Sequence, residues 1–326
     1  MQTGNARIWA VILAGGEGER LRPLMQQWLG RHVPKQYCTF LGTRSMLNHT
    51  LDRAVRLARP DRVVTVMARS HASLPLSRHP ALSRGRIVLQ PHNRETAPGV
   101  FLALTYIAAV DPDASVVLFP SDHFIQPSTR FIPQVHEALW ASAALDRVVL
   151  VGVRPQGLDL NYGWIQPGRA LEHGGVRCRA RAIERFVENP TQPVARAIRR
   201  SGALLNTMVV AGSLRRLWGL GRAHLPALID RFELLGATLG TSQEAAMLDD
   251  IYADMPRHNF SVHVLERCVR ALGVLELEGV TWSDWGTADR IAATIQNLGR
   301  RPAFADVNTW QRSACHTRTD RVDGAA

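Results

Sequence analysis

Lysine is almost missing from this chain. Of its 39 basic residues one is lysine, Lys35, and the rest are arginine. Lysine is a compact ammonium on a flexible stem, whereas arginine is a flat, bulky fork. A chain that uses arginine nearly everywhere marks Lys35 as a position for a compact cation, such as a tight phosphate site. Cysteine is scarce too. Cys38, Cys178, Cys268 and Cys315 are scattered and form no Cys-x-x-Cys pair, so neither a zinc site nor a disulfide framework is expected. No apolar run approaches the roughly 20 residues of a membrane span. The first residues lack a basic segment followed by an apolar run, so no signal peptide is read and a cytoplasmic protein is expected. Acidic residues are outnumbered, 28 against 39, giving a net charge of +11. The arginines are spread along the chain with no nucleic-acid-binding motif, so nucleic acid is not an expected partner. A basic field does attract small anionic substrates.

At 326 residues and 46% hydrophobic, the chain has enough apolar material for one large α/β domain or two smaller ones. Apolar, β-branched runs predict strands over Ile8–Leu13, Arg62–Met67, Arg86–Gln90, Ser115–Phe119 and Arg147–Val153. Helices are predicted between them, over Ser45–Ala58, Pro98–Val110 and Ser128–Leu145, with Ser45 as N-cap and Pro98 in a first turn. This alternation predicts a mainly parallel central sheet flanked by helices. The second half is less regular. Strands are expected over Tyr162–Gln166 and Arg177–Val187 around a Gly174-Gly175 turn, and over Leu204–Ala211 and Leu272–Glu278. Helices are expected over Thr191–Arg200, within Leu214–Asp254, and over Thr287–Leu298. Arg177, Arg179, Arg181 and Arg185 share one face at the period of a strand, which reads as a solvated face, with a phosphate clamp as the alternative. From about Arg300 the chain turns polar, and 301–326 is expected to be a poorly ordered tail.

The first strand runs into Leu13-Ala14-Gly15-Gly16-Glu17-Gly18-Glu19-Arg20-Leu21-Arg22-Pro23-Leu24. Glycines after a strand let backbone N–H groups approach a phosphate closely. A Walker A loop would end in Gly-Lys-Ser/Thr, which is absent. A dinucleotide fingerprint would need glycine where Leu21 stands. Lys35 follows in Pro34-Lys35-Gln36-Tyr37. Further on come Gln90-Pro91-His92-Asn93-Arg94-Glu95-Thr96-Ala97-Pro98, Pro120-Ser121-Asp122-His123, Tyr162-Gly163-Trp164, Phe186-Val187-Glu188-Asn189-Pro190, Leu205-Asn206-Thr207 and Trp282-Ser283-Asp284-Trp285-Gly286. Several of these lie just past predicted strand ends, where open α/β sheets bind ligands.

In that order these motifs resemble those of the sugar-1-phosphate nucleotidyltransferases, most closely the mannose-1-phosphate guanylyltransferases, over residues 7 to 298. The resemblance implies a Rossmann-like nucleotidyltransferase fold with a smaller sugar-binding subdomain. It implies a nucleotidyltransferase domain over 1–300, with a nucleotide-binding half (1–155) and a sugar-phosphate-binding half (156–300). The implied reaction moves a nucleotidyl group, foremost GMP from GTP, to a sugar-1-phosphate, foremost mannose-1-phosphate, giving GDP-mannose and pyrophosphate. The alternatives are another base or sugar, or a non-catalytic nucleotide-binding regulatory subunit. The family also leads us to expect a homodimer.

The resemblance carries over residue by residue. Leu13, Ala14, Gly15, Gly16 and Gly18 contact the nucleotide, with Gln90, Arg94, Thr96 and Ala97. Arg20, Lys35 and Asp122 are the expected catalytic groups, with Arg20 on the triphosphate and Lys35 on the α-phosphate. Asp122 and Asp284 are the expected ligands of Mg²⁺, which prefers carboxylates, water and phosphate oxygens. His123 is read as structural. Gly163, Glu188 and Asn206 contact the sugar. The sequence departs from the pattern at Asn189, where the family carries a lysine for the sugar phosphate, and at Thr207-Met208, where it carries Ser-Gly. Arg185 or Arg94 is expected to take over the phosphate contact, and Met208 to narrow the pocket.

Overall fold

A computed structural model describes residues 7–74 and 79–300, and the expected tail, 301–326, lies outside the described residues. Strands β1 (Ile8–Ala14), β2 (Val63–Ala68), β3 (Arg86–Gln90) and β4 (Ser115–Pro120) are followed by the short β5 (Phe124–Gln126) and by β6 (Val148–Val153). Then come β7 (Gly163–His173), β8 (Val176–Glu188), β9 (Leu204–Ser213), β10 (Leu272–Glu276) and the short β11 (Thr281–Ser283). Helices α1 (Arg22–Leu29), α2 (Met46–Ala54), α3 (Pro80–Ser83), α4 (Thr96–Ala108) and α5 (Ser128–Leu145) belong to the first half. The second carries α6 (Gln192–Arg200), α7 (Leu214–His224), α8 (Pro226–Thr238), α9 (Glu244–Ala253), α10 (Phe260–His263) and α11 (Ala288–Asn297).

The main sheet runs β3-β2-β1-β4-β9-β6-β10-β8-β7, and β5 pairs with β11 in a separate two-stranded ribbon. The first four strands in that order are parallel. β9 then enters antiparallel between β4 and β6, so a strand of the second half joins strands of the first into one sheet. Helices cover both faces. Along β1, Val11 packs into one core with α4, α7 and α8, while Ala10 and Ile12 pack into the other with α2 and α5. A third cluster unites Leu24 and Met25 of α1, Phe40, Met46, Trp285, and Ile291 and Ile295 of α11. It fixes the chain around Lys35 against the segment that carries Asp284.

Ser45 caps α2 as expected, its side chain accepting from the Asn48 N–H at 3.2 Å. β7 runs on past the predicted strand to His173, β8 matches its prediction to within one residue at each end, and the two turn at Gly174 and Gly175, both in the left-handed region. Register shifts in the β7–β8 pair interrupt the arginine period. On that strand Arg179 pairs with Glu137 at 2.8 Å and Arg181 donates to the Gly168 carbonyl at 2.8 Å, which suits an ion-paired outer face. α1 is not among the predicted helices. Pro23 at its start fixes a helical φ, and Gly30 in the left-handed region ends it.

Candidate active site

β1 lies between β2 and β4 in parallel register, with Leu13 opposite Pro120. The Ser121 N–H donates to the Leu13 carbonyl at 3.2 Å, so the chain past β4 stays beside the chain past β1. Gly15 to Gly18 and Asp122 are thereby brought to one rim. Gly18 sits at φ 65°, the left-handed region that favours glycine, and a Cβ there would approach the Lys35 backbone nitrogen to 3.2 Å. The residues after Lys35 pin the loop from below. The Gln36 amide donates to the carbonyls of Ala14 at 3.0 Å and Gly16 at 2.8 Å, and the Tyr37 hydroxyl donates to that of Ala14 at 3.1 Å.

Lys35 is 5% exposed. Its ammonium lies 3.0 Å from the Asp122 carboxylate and donates a close hydrogen bond to the Asp284 carbonyl. Burial works to raise the Asp122 pKa, but the adjacent Lys35 ammonium outweighs it and holds the carboxyl below its usual range. His123 accepts from the Trp282 indole at 3.3 Å, and burial depresses its pKa, so it is a neutral ring that braces the segment. Asp284 is buried. Its carboxylate accepts from the Tyr162 hydroxyl at 2.6 Å, the Gly286 N–H at 3.0 Å and the Arg290 guanidinium at 2.9 and 3.0 Å. Arg20, 61% exposed, stands 3.8 Å from the same carboxylate. The fold thus gathers Arg20, Lys35, Asp122 and Asp284 from four separate stretches of chain.

A cavity of about 290 Å³ opens over this rim, lined by Leu13, Gly15, Gly16, Gln90, Thr96, Asp122 and Met208 among others. Gln90 is buried and donates to the Tyr252 hydroxyl at 3.0 Å. The Thr96 hydroxyl accepts from the Phe260 N–H at 2.8 Å, and the Ala97 N–H donates to the His258 carbonyl at 2.9 Å. Both therefore tie the start of α4 to the α10 segment. Arg94 departs from the expectation of a nucleotide contact. Its guanidinium donates to the carbonyls of Tyr252 at 3.0 Å and Ala253 at 2.8 Å, at the end of α9, and it does not line the cavity. The exposed carbonyls of a helix end attract a guanidinium.

On the other side, Gly163 pairs with Glu188 across β7 and β8. A Cβ on Gly163 would come within 2.5 Å of a Glu188 carboxylate oxygen and 2.9 Å of the Phe186 ring. That oxygen, Oε2, is buried and has no hydrogen-bond partner within the protein. Burial pushes the Glu188 pKa up to about 7, against a Ser261 hydrogen bond that favours the charged form. Asn206 is buried, with its amide turned to Met208, accepting from the Met208 N–H at 3.1 Å and lying 3.4 Å from its sulfur. Met208 holds φ 57°, a strained angle for a residue with a Cβ. Asn189, at φ 48°, donates its N–H to the Tyr162 carbonyl at 3.2 Å. Neither expected replacement for a phosphate-binding lysine reaches this end. Arg94 is tethered as described. Arg185 lies three residues before Glu188 in regular register, on the opposite face of β8, and is exposed.

Three contributors escape the sequence reading. Gln36 and Tyr37 hold the glycine loop, and the motif around Lys35 is the available signal. Arg290 has none, being one arginine among many. It engages Asp284, forms an ion pair with Asp159, and lies 4.8 Å over the Tyr162 ring.

The family model described as nucleotidyl transferase matches residues 9–300. The xanthan biosynthesis protein XanB of Xanthomonas campestris is 29% identical over 285 residues, covering 86% of this chain and 58% of that protein. A mannose-1-phosphate guanylyltransferase of Escherichia coli is 24% identical over 312 residues, 94% of this chain and 64% of that one. The chain therefore spans about three fifths of the length of these relatives. A crystal structure described as mannose-1-phosphate geranyltransferase from Thermus thermophilus superposes with a TM-score of 0.74 at 27% identity, covering 90% of this chain and 80% of that one. A match over nearly all of the described residues, on a sheet whose parallel strands end at the gathered cations and carboxylates, places the chain in the nucleotidyl transferase family.

Proposed function

We propose that the chain transfers GMP from GTP to mannose-1-phosphate, forming GDP-mannose and releasing pyrophosphate. The observation that carries this reading is Lys35, the lone lysine, buried below the glycine loop between the Asp122 carboxylate and the Asp284 carbonyl. A desolvated cation stabilises charge on a reacting phosphate far more than the same cation in water. The relative named for mannose-1-phosphate guanylyl transfer supports the choice of base and sugar. The 1–155 half holds the nucleotide and the 156–300 half the sugar phosphate.

An oxygen of the sugar phosphate attacks the α-phosphorus, and the bond to the departing pyrophosphate breaks. The attacking oxygen is already anionic near neutral pH, so no general base is required. The work is positioning and charge stabilisation. Leu13 to Gly18 supply backbone contacts to base, ribose and phosphates, and Gln90 closes the cavity behind them. Lys35 neutralises the α-phosphate, and the exposed Arg20 meets the leaving pyrophosphate. The unpartnered oxygen of Glu188 accepts a sugar hydroxyl beside Gly163, satisfying a buried acceptor. Asn206 completes that end once its amide turns from Met208.

Asp122 fits a magnesium ion of the kind that phosphates help to hold, and Asp284 would join it by exchanging its Tyr162 or Arg290 partner for the ion. Among the described residues no group of three or more His, Cys, Asp or Glu forms a closed cage. Mg²⁺ characteristically uses one or two carboxylates with phosphate oxygens and water. The Asp122 carboxylate is 35% exposed, which leaves it room for such an ion beside Lys35. When bound, the ion neutralises charge across the phosphate oxygens.

The test is pyrophosphate release with Mg²⁺ across GTP, ATP, UTP, CTP and dTTP against several sugar-1-phosphates. Fast release with GTP and mannose-1-phosphate alone is the expected result, and release with a different pair changes the substrate while keeping the chemistry. The uncharged Asn189 favours a second reading, a non-catalytic nucleotide-binding subunit, and GTP binding without release for any pair would favour it.

A further inference from the structure

Arg53, in the last turn of α2, is 3% exposed, and among the described residues no carboxylate stands within ion-pair distance of it. Arginine is seldom buried without an opposite charge, because desolvating a guanidinium is costly. Its neighbour Asp52 is taken by Arg44 at 2.9 Å and by His79 at 3.2 Å. Nη2 of Arg53 donates to the Thr50 hydroxyl at 2.7 Å and the His123 carbonyl at 3.3 Å, but Nε is buried with no partner within the protein. Trp285 is 2% exposed, and its indole N–H is likewise buried and unpartnered. Both residues line one cavity of about 390 Å³. We propose that this cavity is a second binding site, which takes a small anion carrying a flat apolar body.

The chemistry of the occupant follows from the lining. Guanidinium and indole are donors only, so the group that satisfies them brings acceptor atoms. Arg44 and Arg300 line the cavity with Arg53, and among the described residues no Asp or Glu does, so those acceptors are best carried by an anion. The Trp285 ring stacks on Phe124 at 4.8 Å and meets Phe40 edge-on at 5.4 Å, with Leu41 and Met46 in the same lining. Such a wall receives a flat apolar body, and the volume falls within the roughly 300–1,000 Å³ of small-molecule pockets. His123 is the one residue shared with the lining of the cavity over the glycine loop, so the two cavities are distinct. Both unpartnered donors nevertheless belong to supports of the active-site carboxylates. Arg53 holds the carbonyl of His123, just after Asp122, and Thr50 donates at 3.4 Å to that of Ser121, just before it. Trp285 directly follows Asp284, at a left-handed φ of 46°. An anion that draws on Arg53 competes with the His123 carbonyl and loosens the backbone that holds Asp122 against Lys35. Occupancy therefore lowers turnover without excluding either substrate; this effect rests on the nucleotidyl-transfer reading, whereas the site does not.

The test titrates phenyl phosphate into the full chain by calorimetry, with inorganic phosphate as the probe that lacks a ring. Phenyl phosphate should bind roughly 10-fold or more tightly than inorganic phosphate, the scale of burying one aromatic ring. Arg53→Met removes the buried donor and should weaken that binding about 10- to 100-fold, the range for a hydrogen bond to a charged group. His49→Glu places a carboxylate in the lining, at an exposed position, and should weaken it at least about 10-fold. Thermal unfolding checks each variant, and where Arg53→Met does not fold, His49→Glu decides alone. Saturating mannose-1-phosphate should leave the binding in place. Failure of phenyl phosphate to bind, equal binding by wild type and the folded variants, or displacement by mannose-1-phosphate overturns the site. With GTP and mannose-1-phosphate both saturating, phenyl phosphate should lower kcat in wild type and less so in His49→Glu. An unaltered kcat with the site filled overturns the coupling to Asp122. A chain that binds the probe as expected, yet turns over no nucleotide and sugar-1-phosphate pair, would remove the transfer reaction and leave the site standing.

Discussion

Glu188 makes the stability of this protein depend on pH in a direction opposite to that of most paired carboxylates. Its pKa is raised from an ordinary 4.5 to about 7, chiefly because burial disfavours the charged form. The folded state therefore holds a proton that the unfolded chain gives up. The contribution is complete below pH 4.5, shrinks as the pH rises, and is lost above pH 7. Linkage over those two values gives a loss of about 2–3 kcal/mol between pH 5 and pH 8. For a chain of this length that is about 4 °C in the unfolding midpoint. Glu188→Gln keeps the shape and removes the titration. Thermal unfolding of both proteins at half-unit steps from pH 5 to pH 8 should show wild type losing those degrees relative to the variant. Parallel curves would falsify the picture of a desolvated carboxyl at this position. Saturating sugar-1-phosphate should shrink the difference, because a donated hydroxyl favours the charged carboxylate.

Other expectations concern single side chains. Lys35→Ala should lower kcat at least about 100-fold, the scale of one lost electrostatic donor, while circular dichroism still reports a folded chain. Normal turnover in that variant would remove Lys35 from the chemistry. Arg94→Ala should lower the unfolding midpoint, because two carbonyls at the end of α9 lose their donor, yet leave the GTP KM within about threefold. A large rise in that KM would restore Arg94 to the nucleotide site. Met208→Gly should relieve about 1 kcal/mol of backbone strain at its left-handed angle, offset by the packing its side chain makes against the core, and extend turnover to bulkier sugar-1-phosphates. An unaltered sugar range would contradict the narrowing of the pocket by Met208.

The parts of the fold legible in the sequence are those decided locally. β1 announces itself by a β-branched run ending in glycines, and Ser45 by the hydroxyl that caps α2. The convergence of Lys35, Asp122 and Asp284 is legible only through ordered motifs, since the contacts join residues far apart in the chain. Direction is not legible at all. Arg94 lies inside a nucleotide motif, but the carbonyls it meets belong to a helix about half the chain away, and their attraction decides where it points. An unbroken period of two predicts the arginine face of β8, and register shifts in the β7–β8 pair interrupt it. Arg290 stays hidden because charge-pair partners such as Asp159 leave no local pattern.

Burial of a lone lysine also furnishes a built-in reporter. A lysine-specific protease has one bond to cut in this chain, between Lys35 and Gln36. Both flanking side chains are buried and bonded, one to Asp122 and the Asp284 carbonyl, the other to the glycine loop. Cleavage therefore requires the loop and the Asp284 segment to part, and its rate follows the population of that opened state when reclosing outpaces cutting. A ligand seated on the loop should slow the cut, and the appearance of one short and one long fragment on a gel becomes a direct clock for the opening of the site.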